Sequence, residues 1–439
     1  MSARLMRLVP LAGLLVGLFL TFYYLYRGVA APSAATGLEQ TTQHNNIDLS
    51  HLSDTHHQVF SASTPNQKYF HVDFGERDGF NPSIIPHPVL DDKWIITAQL
   101  ARNRSETEPL SVWSAELVCT AAFQDQGRTL RCVDQPLILP IAATATDPTR
   151  CNGELEFLWV SLGPHDARIF YGPDRPYTVY GSNSQHTCFG QWVLDFRVLV
   201  DWPGEEIIQT PTYRHPVELQ RPLLSGYSAI EKNWFLFWDM HGTAYVHYDV
   251  APTRAFSQLL SIADGSVGPN LAANAAPIDE RCLQKYLPVL TDLAHESIHQ
   301  ATNSLAITLC ERADPSCQPS EDNTFVFMIF QHKKYVAFHS VYEPYVMLFR
   351  QRAPFEVFGV STKPLWIHGR GSSSVGVEED QQQSEMLYVT SISWKQAGQR
   401  YHGYIDDVMF LGFGREDSHS GGIDVVARDL LDGLGYCFG

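Results

Sequence analysis

The chain has 439 residues, 44% of them hydrophobic, which is enough to bury a large core. Its formal net charge of −17, with no dense Lys/Arg stripe, excludes a nucleic-acid-binding face and makes nucleic acid an unexpected partner.

Arg4 and Arg7 lie in residues 1–7, ahead of an uncharged run from Leu8 to Tyr26. At about 1.5 Å per residue, that run makes a helix of roughly 28 Å, long enough to cross a bilayer. Tyr23, Tyr24 and Tyr26 stand where an aromatic belt would lie, and Arg27 closes the span. Gly28-Val29-Ala30-Ala31 supplies small residues for a signal-peptide cleavage, but the apolar run is long for a signal. The reading is a single N-terminal transmembrane helix, residues 8–26, kept as the anchor of a type II membrane protein. Residues 1–7 are then a cytoplasmic tail. Residues 27–68 are polar, with little apolar pattern, and read as a stem.

From 69 to 439 short strands dominate. Lys93–Ala98, Leu155–Val160, Ala167–Tyr171, Tyr177–Tyr180, Thr324–Phe330, Tyr345–Phe349, Met386–Thr390 and Asp407–Phe413 are rich in β-branched and aromatic residues, with Gly, Pro, Asp and Asn between them. Trp234–Trp238 and Ala244–Tyr248 flank a five-residue turn and predict a hairpin. Two stretches read as helix: Ile278–Thr302, an insertion, and Ile423–Leu431. The fold class is therefore all-β, a propeller or large sandwich.

The eight cysteines are widely spaced, with no C-x-x-C, and read as disulfides of an oxidising compartment. Cys119 with Cys132 and Cys310 with Cys317 are the local pairings expected, although eight cysteines allow 105 connectivities. Asn103-Arg104-Ser105 is a glycosylation sequon, and Asn103 is its acceptor.

Gly163-Pro164-His165-Asp166-Ala167-Arg168 joins a turn to a strand. Side chains alternate along a strand, so Asp166 and Arg168 are expected on one side, a carboxylate beside a guanidinium. Such a pair can be tuned for proton transfer or grip sugar hydroxyls; the plain alternative is a capping Asp with a surface Arg. Four other segments also place polar residues at strand edges: Phe80-Asn81-Pro82 with a strand ending near Arg102, Glu231-Lys232-Asn233-Trp234, His368-Gly369, and Tyr401-His402-Gly403-Tyr404-Ile405-Asp406-Asp407. Glu231 and Lys232 read equally as a solvated pair, Asp406 and Asp407 as a turn, and His368 as a structural histidine. There is no P-loop, no H-E-x-x-H and no D-x-D, so neither a metal nor a cofactor is expected.

The order of these segments resembles the β-mannoside phosphorylases and hydrolases and the related eukaryotic β-1,2-mannosyltransferases. His165 and Ala167 depart from that family's signature, G-x-E-D-P-R. The resemblance implies a five-bladed β-propeller with the sugar site at its central channel and Asp166 as proton donor. It also implies that Arg168 and Lys232 bind substrate or an anionic group, while Asn81, Arg102, His368, Asp406 and Asp407 line the pocket. Combined with the lumenal reading, it leads to a Golgi glycosyltransferase. That enzyme would move a sugar, mannose by this resemblance, from a nucleotide-sugar donor to a glycan acceptor. The alternatives are a lumenal glycosidase of the same fold and a propeller that only binds glycan.

Overall fold

The computed structural model describes residues 52–101, 112–202, 213–223, 226–336, 339–373 and 383–438. The anchor (8–26), Arg102 and Asn103 lie outside them. Among the described residues no helix is long and apolar enough to cross a membrane.

The structure is all-β. Strand β1 (Phe70–Asp73) precedes the first meander: β2 (Gly79–Pro86), β3 (Trp94–Leu100), β4 (Glu116–Gln124) and β5 (Thr129–Cys132). A short helix, α1 (Glu156–Val160), leads into the second: β6 (His165–Tyr171), β7 (Pro176–Asn183), β8 (Phe189–Asp195) and β9 (Val217–Glu218). The third is β10 (Phe235–Trp238), β11 (Ala244–Asp249) and β12 (Ala255–Gln258). After α2 (Ala276–Tyr286) and β13 (Glu296–Gln300) comes the fourth: β14 (Leu305–Thr308), β15 (Thr324–Val336), β16 (His339–Arg350) and β17 (Val357–Ser361). The fifth is β18 (Leu387–Trp394), β19 (Val408–Arg415) and β20 (His419–Val426), followed by α3 (Ala427–Leu430) and β21 (Leu434–Tyr436). Within each meander, neighbours in sequence are antiparallel neighbours in space. β1 completes the fifth by pairing with β20, and touches β5 in parallel.

Four of the five first strands have one edge with no ladder, so backbone groups there must find other partners; β14 is the exception, pairing in parallel with residues 402–404. Small polar side chains supply them. Ser83 Oγ accepts the Ile169 N–H at 3.2 Å, and Arg168 Nη2 donates to Asn233 Oδ1 at 2.7 Å. Ser304 Oγ donates to the Leu236 carbonyl at 2.7 Å. Asn303 and Ile392 exchange two bonds of 3.0 Å, and Thr390 and Ser391 each donate to the Pro82 carbonyl at 2.8 Å. The contacts run from β2 to β6, to β10, to β14, to β18 and back to β2. This closed ring of first strands around one axis is the arrangement of a β-propeller.

Burial explains why so many strands read as unbroken apolar runs. Every residue of β7 and of β8 is buried, because each inner sheet is covered on both faces. Trp234 and Trp394 are among the largest fully buried side chains, and the indole N–H of Trp394 reaches the Tyr401 carbonyl.

The Trp234–Tyr248 hairpin forms as expected. Three other expectations are corrected. Leu155–Val160 is not a strand: residues 156–160 form α1, which leaves Phe157 and Trp159 exposed and buries only Leu158. The insertion helix stops at Tyr286, since Pro288 forces Leu287 into an extended conformation, and residues 296–300 pair with β15 as a strand. Ile423–Val426 belongs to β20, which is buried along most of its length, and only residues 427–430 are helical. Part of the segment read as stem packs on the body, where His57–Val59 pairs with Leu365–Ile367.

All eight cysteines are paired: Cys119–Cys132, Cys151–Cys188, Cys282–Cys437 and Cys310–Cys317. Both local pairings are as expected. Four disulfides are the usage of an extracellular or lumenal protein.

Candidate functional site

The site grows from two irregularities at one end of the ring. The β2–β3 register shifts between Phe80 and Ser83, and the β6–β7 register between His165 and Arg168. Asn81 (φ 57°) and Asp166 (φ 51°) sit in these bulges in the left-handed region, which Asn and Asp tolerate better than other side chains. Asn81 Nδ2 donates to Asp166 Oδ1 at 2.7 Å. The bulge releases two successive N–H groups from the ladder. The Asp166 N–H goes to Gln99 Oε1 and the Ala167 N–H to Glu116 Oε1, both at 3.1 Å.

The bulge also breaks the alternation on which the Asp166/Arg168 pairing rested. Arg168 turns into the ring, 4% exposed, and gives its Nε to the Thr390 carbonyl and its Nη2 to Asn233. Asp166 is half-buried at the mouth. Arg168 thus ties first strands together, and the expected carboxylate–guanidinium pair is not among the described ion pairs.

Beyond Asn233 the mouth is aromatic and then basic. The Tyr388 hydroxyl donates to Asn233 Oδ1 at 3.2 Å, and its ring lies 4.8 Å from that of Tyr342. Burial pushes the Tyr388 hydroxyl up to about 12, against the pull of Arg168 and with help from Asp166 and Asp417. Lys333 is the cross-strand partner of Tyr342, with Nζ 5.7 Å from its ring. On the next strand Ser297 faces Lys333 and His299 faces Gln331, so His299 and Lys333 share a face. Burial, then the charges of Lys232 and Lys333, lower His299 to about 4, so its ring is neutral at neutral pH. Burial and Lys232 also lower Lys333, while Asp417 opposes them. Asp417 occupies the β19–β20 turn at φ 47° and is exposed to solvent. Its carboxyl is raised by the protein around it and then by the Asp166 carboxylate. Two carboxylates and two ammonium groups therefore act on one another across a single mouth.

Asn81, Asp166, Arg168 and Lys232 come together here. Glu231 turns away, buried against Arg221 Nε at 2.8 Å. His368 lies beside the Leu365–Ile367 strand, its ring 4.9 Å from Phe60 and its N–H on the Val59 carbonyl. No contact joins His368 to Asp166. Asp406 and Asp407 are placed elsewhere. Asp407 holds Arg312 through Nε (2.8 Å) and Nη2 (2.6 Å), and Asp406 Oδ1 accepts the Arg312 N–H at 2.7 Å. Arg312 and His402 line an open cavity of about 850 Å³ with Pro173, the 239–242 loop and residues 396–401. These segments follow the ends of β6, β10 and β18, whereas Asp166, Asn233 and Tyr388 stand at or just before the starts. The cavity is thus at the opposite end of the ring from Asp166. Among the described residues no three His, Cys, Asp or Glu side chains come together as a metal would require.

Tyr342, Tyr388, Asp417, Lys333, His299, Gln99 and Glu116 have no motif in the sequence. Gly414 is a further unexpected part of the site. A Cβ there would stand 2.0 Å from Asn81 Oδ1. Gly414→Ala should therefore displace Asn81 and free the Asp166 carboxylate, reducing turnover as Asn81→Ala should. Paired kinetic assays of the two variants check this.

No family model matches the chain, and no curated protein matches it. It is similar to solved structures of glycoside hydrolases, among them the following three. A thermostable family-43 glycoside hydrolase is 9% identical, with 83% of this chain and 92% of that one covered and a TM-score of 0.36. A family 117 glycoside hydrolase of Zobellia galactanivorans is 9% identical, covering 82% and 91%, with a TM-score of 0.33. A Cellvibrio cellulosa α-L-arabinanase, complexed with arabinohexaose, is 11% identical, covering 81% and 97%, with a TM-score of 0.32. None of these three is named as a β-mannoside phosphorylase, hydrolase or mannosyltransferase, so that finer assignment rests on the motif order alone.

Proposed function

We propose that this chain is a glycoside-cleaving enzyme, a five-bladed propeller acting on mannose-containing glycans in a lumenal or extracellular compartment. The observation that carries the proposal is the mouth itself. One carboxylate, Asp166, is held in a left-handed bulge by Asn81, and a second, Asp417, lies within electrostatic reach. In this reading Asp166 protonates the glycosidic oxygen as the bond breaks, and the water that attacks the sugar gives up its proton to the solvent at the mouth. Tyr342 and Tyr388 form the wall against which a sugar ring packs. Arg168 and Asn233 keep that wall and the Asp166 strand in register. The mannoside preference comes from the motif order. The retained anchor at 8–26, the Golgi location and a glycan on Asn103 belong to the same proposal.

The test is incubation of the purified lumenal domain with β-1,2- and β-1,4-linked mannobiose, alone, with phosphate and with a nucleotide sugar. Release of mannose in water alone is the expected result. Binding of mannobiose with no turnover under any condition would leave the glycan-binding reading instead.

A second reading, transfer from an anionic sugar donor, is favoured by the Lys232, Lys333 and His299 grouping. Lys232 acts against the charge on Lys333, with Asp417 as a partial counterweight, and an anionic ligand would add to that counterweight. If this reading holds, Lys232→Ala and Lys333→Ala should each weaken nucleotide-sugar binding by roughly tenfold, the worth of one bond to a charged group. Calorimetry with the nucleotide sugar and with neutral mannobiose separates the two cases.

A further inference from the structure

The two N–H groups that the Asp166 bulge releases are caught by a facing pair. Gln99 and Glu116 stand opposite each other in the β3–β4 ladder. Gln99 takes the N–H of Asp166, and Glu116 takes the N–H of Ala167. A left-handed residue other than Gly costs about 1–3 kcal/mol and persists only where its surroundings hold it. Here the holding groups are these two side chains, reaching from one meander to the next.

Glu116 is an unusual choice for that task. It is fully buried, and its second oxygen, Oε2, has no hydrogen-bond partner. A buried carboxylate with one orphan oxygen is expensive, and an apolar residue would avoid the cost. An apolar residue, however, would leave the Ala167 N–H unpaired inside the protein. The charged groups that face Glu116 are Asp166 and Arg168. Burial and the Asp166 carboxylate raise its pKa well above the ordinary range, against the Ala167 N–H and Arg168. That shift favours the neutral acid, which can accept the N–H without setting a second negative charge beside Asp166.

We infer that Glu116 is a positioning residue which, with Gln99, fixes Asp166 in its bulge and aims the carboxyl into the mouth. The inference rests on the proposed role of Asp166, but its first readout does not. In crystal structures, Glu116→Leu should release the Ala167 N–H, and Asp166 should leave the left-handed region or lose its bond to Asn81. Glu116→Gln keeps an uncharged acceptor at the same place and should preserve both features. On whichever mannoside the wild type cleaves, Glu116→Leu should lower kcat by about 10- to 100-fold with KM within about twofold. Glu116→Gln should restore most of kcat. Asp166 unmoved in Glu116→Leu, or Glu116→Gln disturbed as badly as Glu116→Leu, would overturn the inference. If Glu116→Leu does not fold, Gln99→Leu removes the other half of the clamp from a half-exposed position, and an unmoved Asp166 there is equally fatal. A wild type without mannosidase activity would count against the proposed function alone, since the position of Asp166 is still read from the structures.

Discussion

Asp166→Asn should reduce turnover by ~10²–10⁴-fold, the usual loss when a general acid is removed, while the thermal midpoint hardly moves. The structure explains why the two effects should separate. Asn tolerates the left-handed backbone at 166 as well as Asp does. Its amide oxygen can still accept the bond from Asn81 Nδ2, and the backbone N–H still reaches Gln99. Only the ionisable proton is lost. If Asp166 served merely to hold the turn, its replacement would instead cost about 1 kcal/mol of stability, and activity would follow stability. Thermal midpoint and turnover measured on one sample decide between these outcomes. Full turnover in a normally folded Asp166→Asn would end the catalytic assignment.

Removing the Cys282–Cys437 disulfide, as Cys282→Ala with Cys437→Ala, should be the most destabilising loss of any of the four. The bond closes a loop of 155 residues, worth roughly 5 kcal/mol if it acts by restricting the unfolded chain. Cys310–Cys317 closes a loop of only 7 residues, for which the same relation gives roughly 2 kcal/mol. The long bridge also pins β21 to α2, and Gly435 there leaves room for the Tyr286 ring, 2.3 Å from where a Cβ would stand. Urea midpoints of the two double variants test the order. A larger shift for Cys310/Cys317 would mean that native packing, not chain restriction, sets the contribution. Thiol labelling of the unreduced, denatured protein should find no free cysteine.

The sequence by itself determined the features that depend on near neighbours. Alternating and continuous apolar runs between turn residues identify strands, and five residues between Trp238 and Ala244 are enough to specify a hairpin. Cys310 and Cys317, or Cys119 and Cys132, are close enough along the chain to be paired by proximity. The position of Asn81, Asp166 and Lys232 among turn residues at strand starts is also legible in the sequence; the roles proposed for them rest on the order of the motifs. The tertiary structure alone decided the rest. Two-residue alternation assumes a regular ladder, and the left-handed residue in the bulge at 166 breaks it, sending Arg168 into the ring instead of beside Asp166. An apolar run such as 155–160 carries no sign of whether it will lie in a sheet or coil on the surface with Phe157 exposed. Asp406 and Asp407 follow a strand on the axis, yet chain direction puts them at the end opposite Asp166. Glu116, Lys333, Tyr388 and Asp417 come from three different meanders, and only closure of the ring places them around one carboxylate. That closure is a set of contacts between residues far apart in the chain, and no local pattern encodes them.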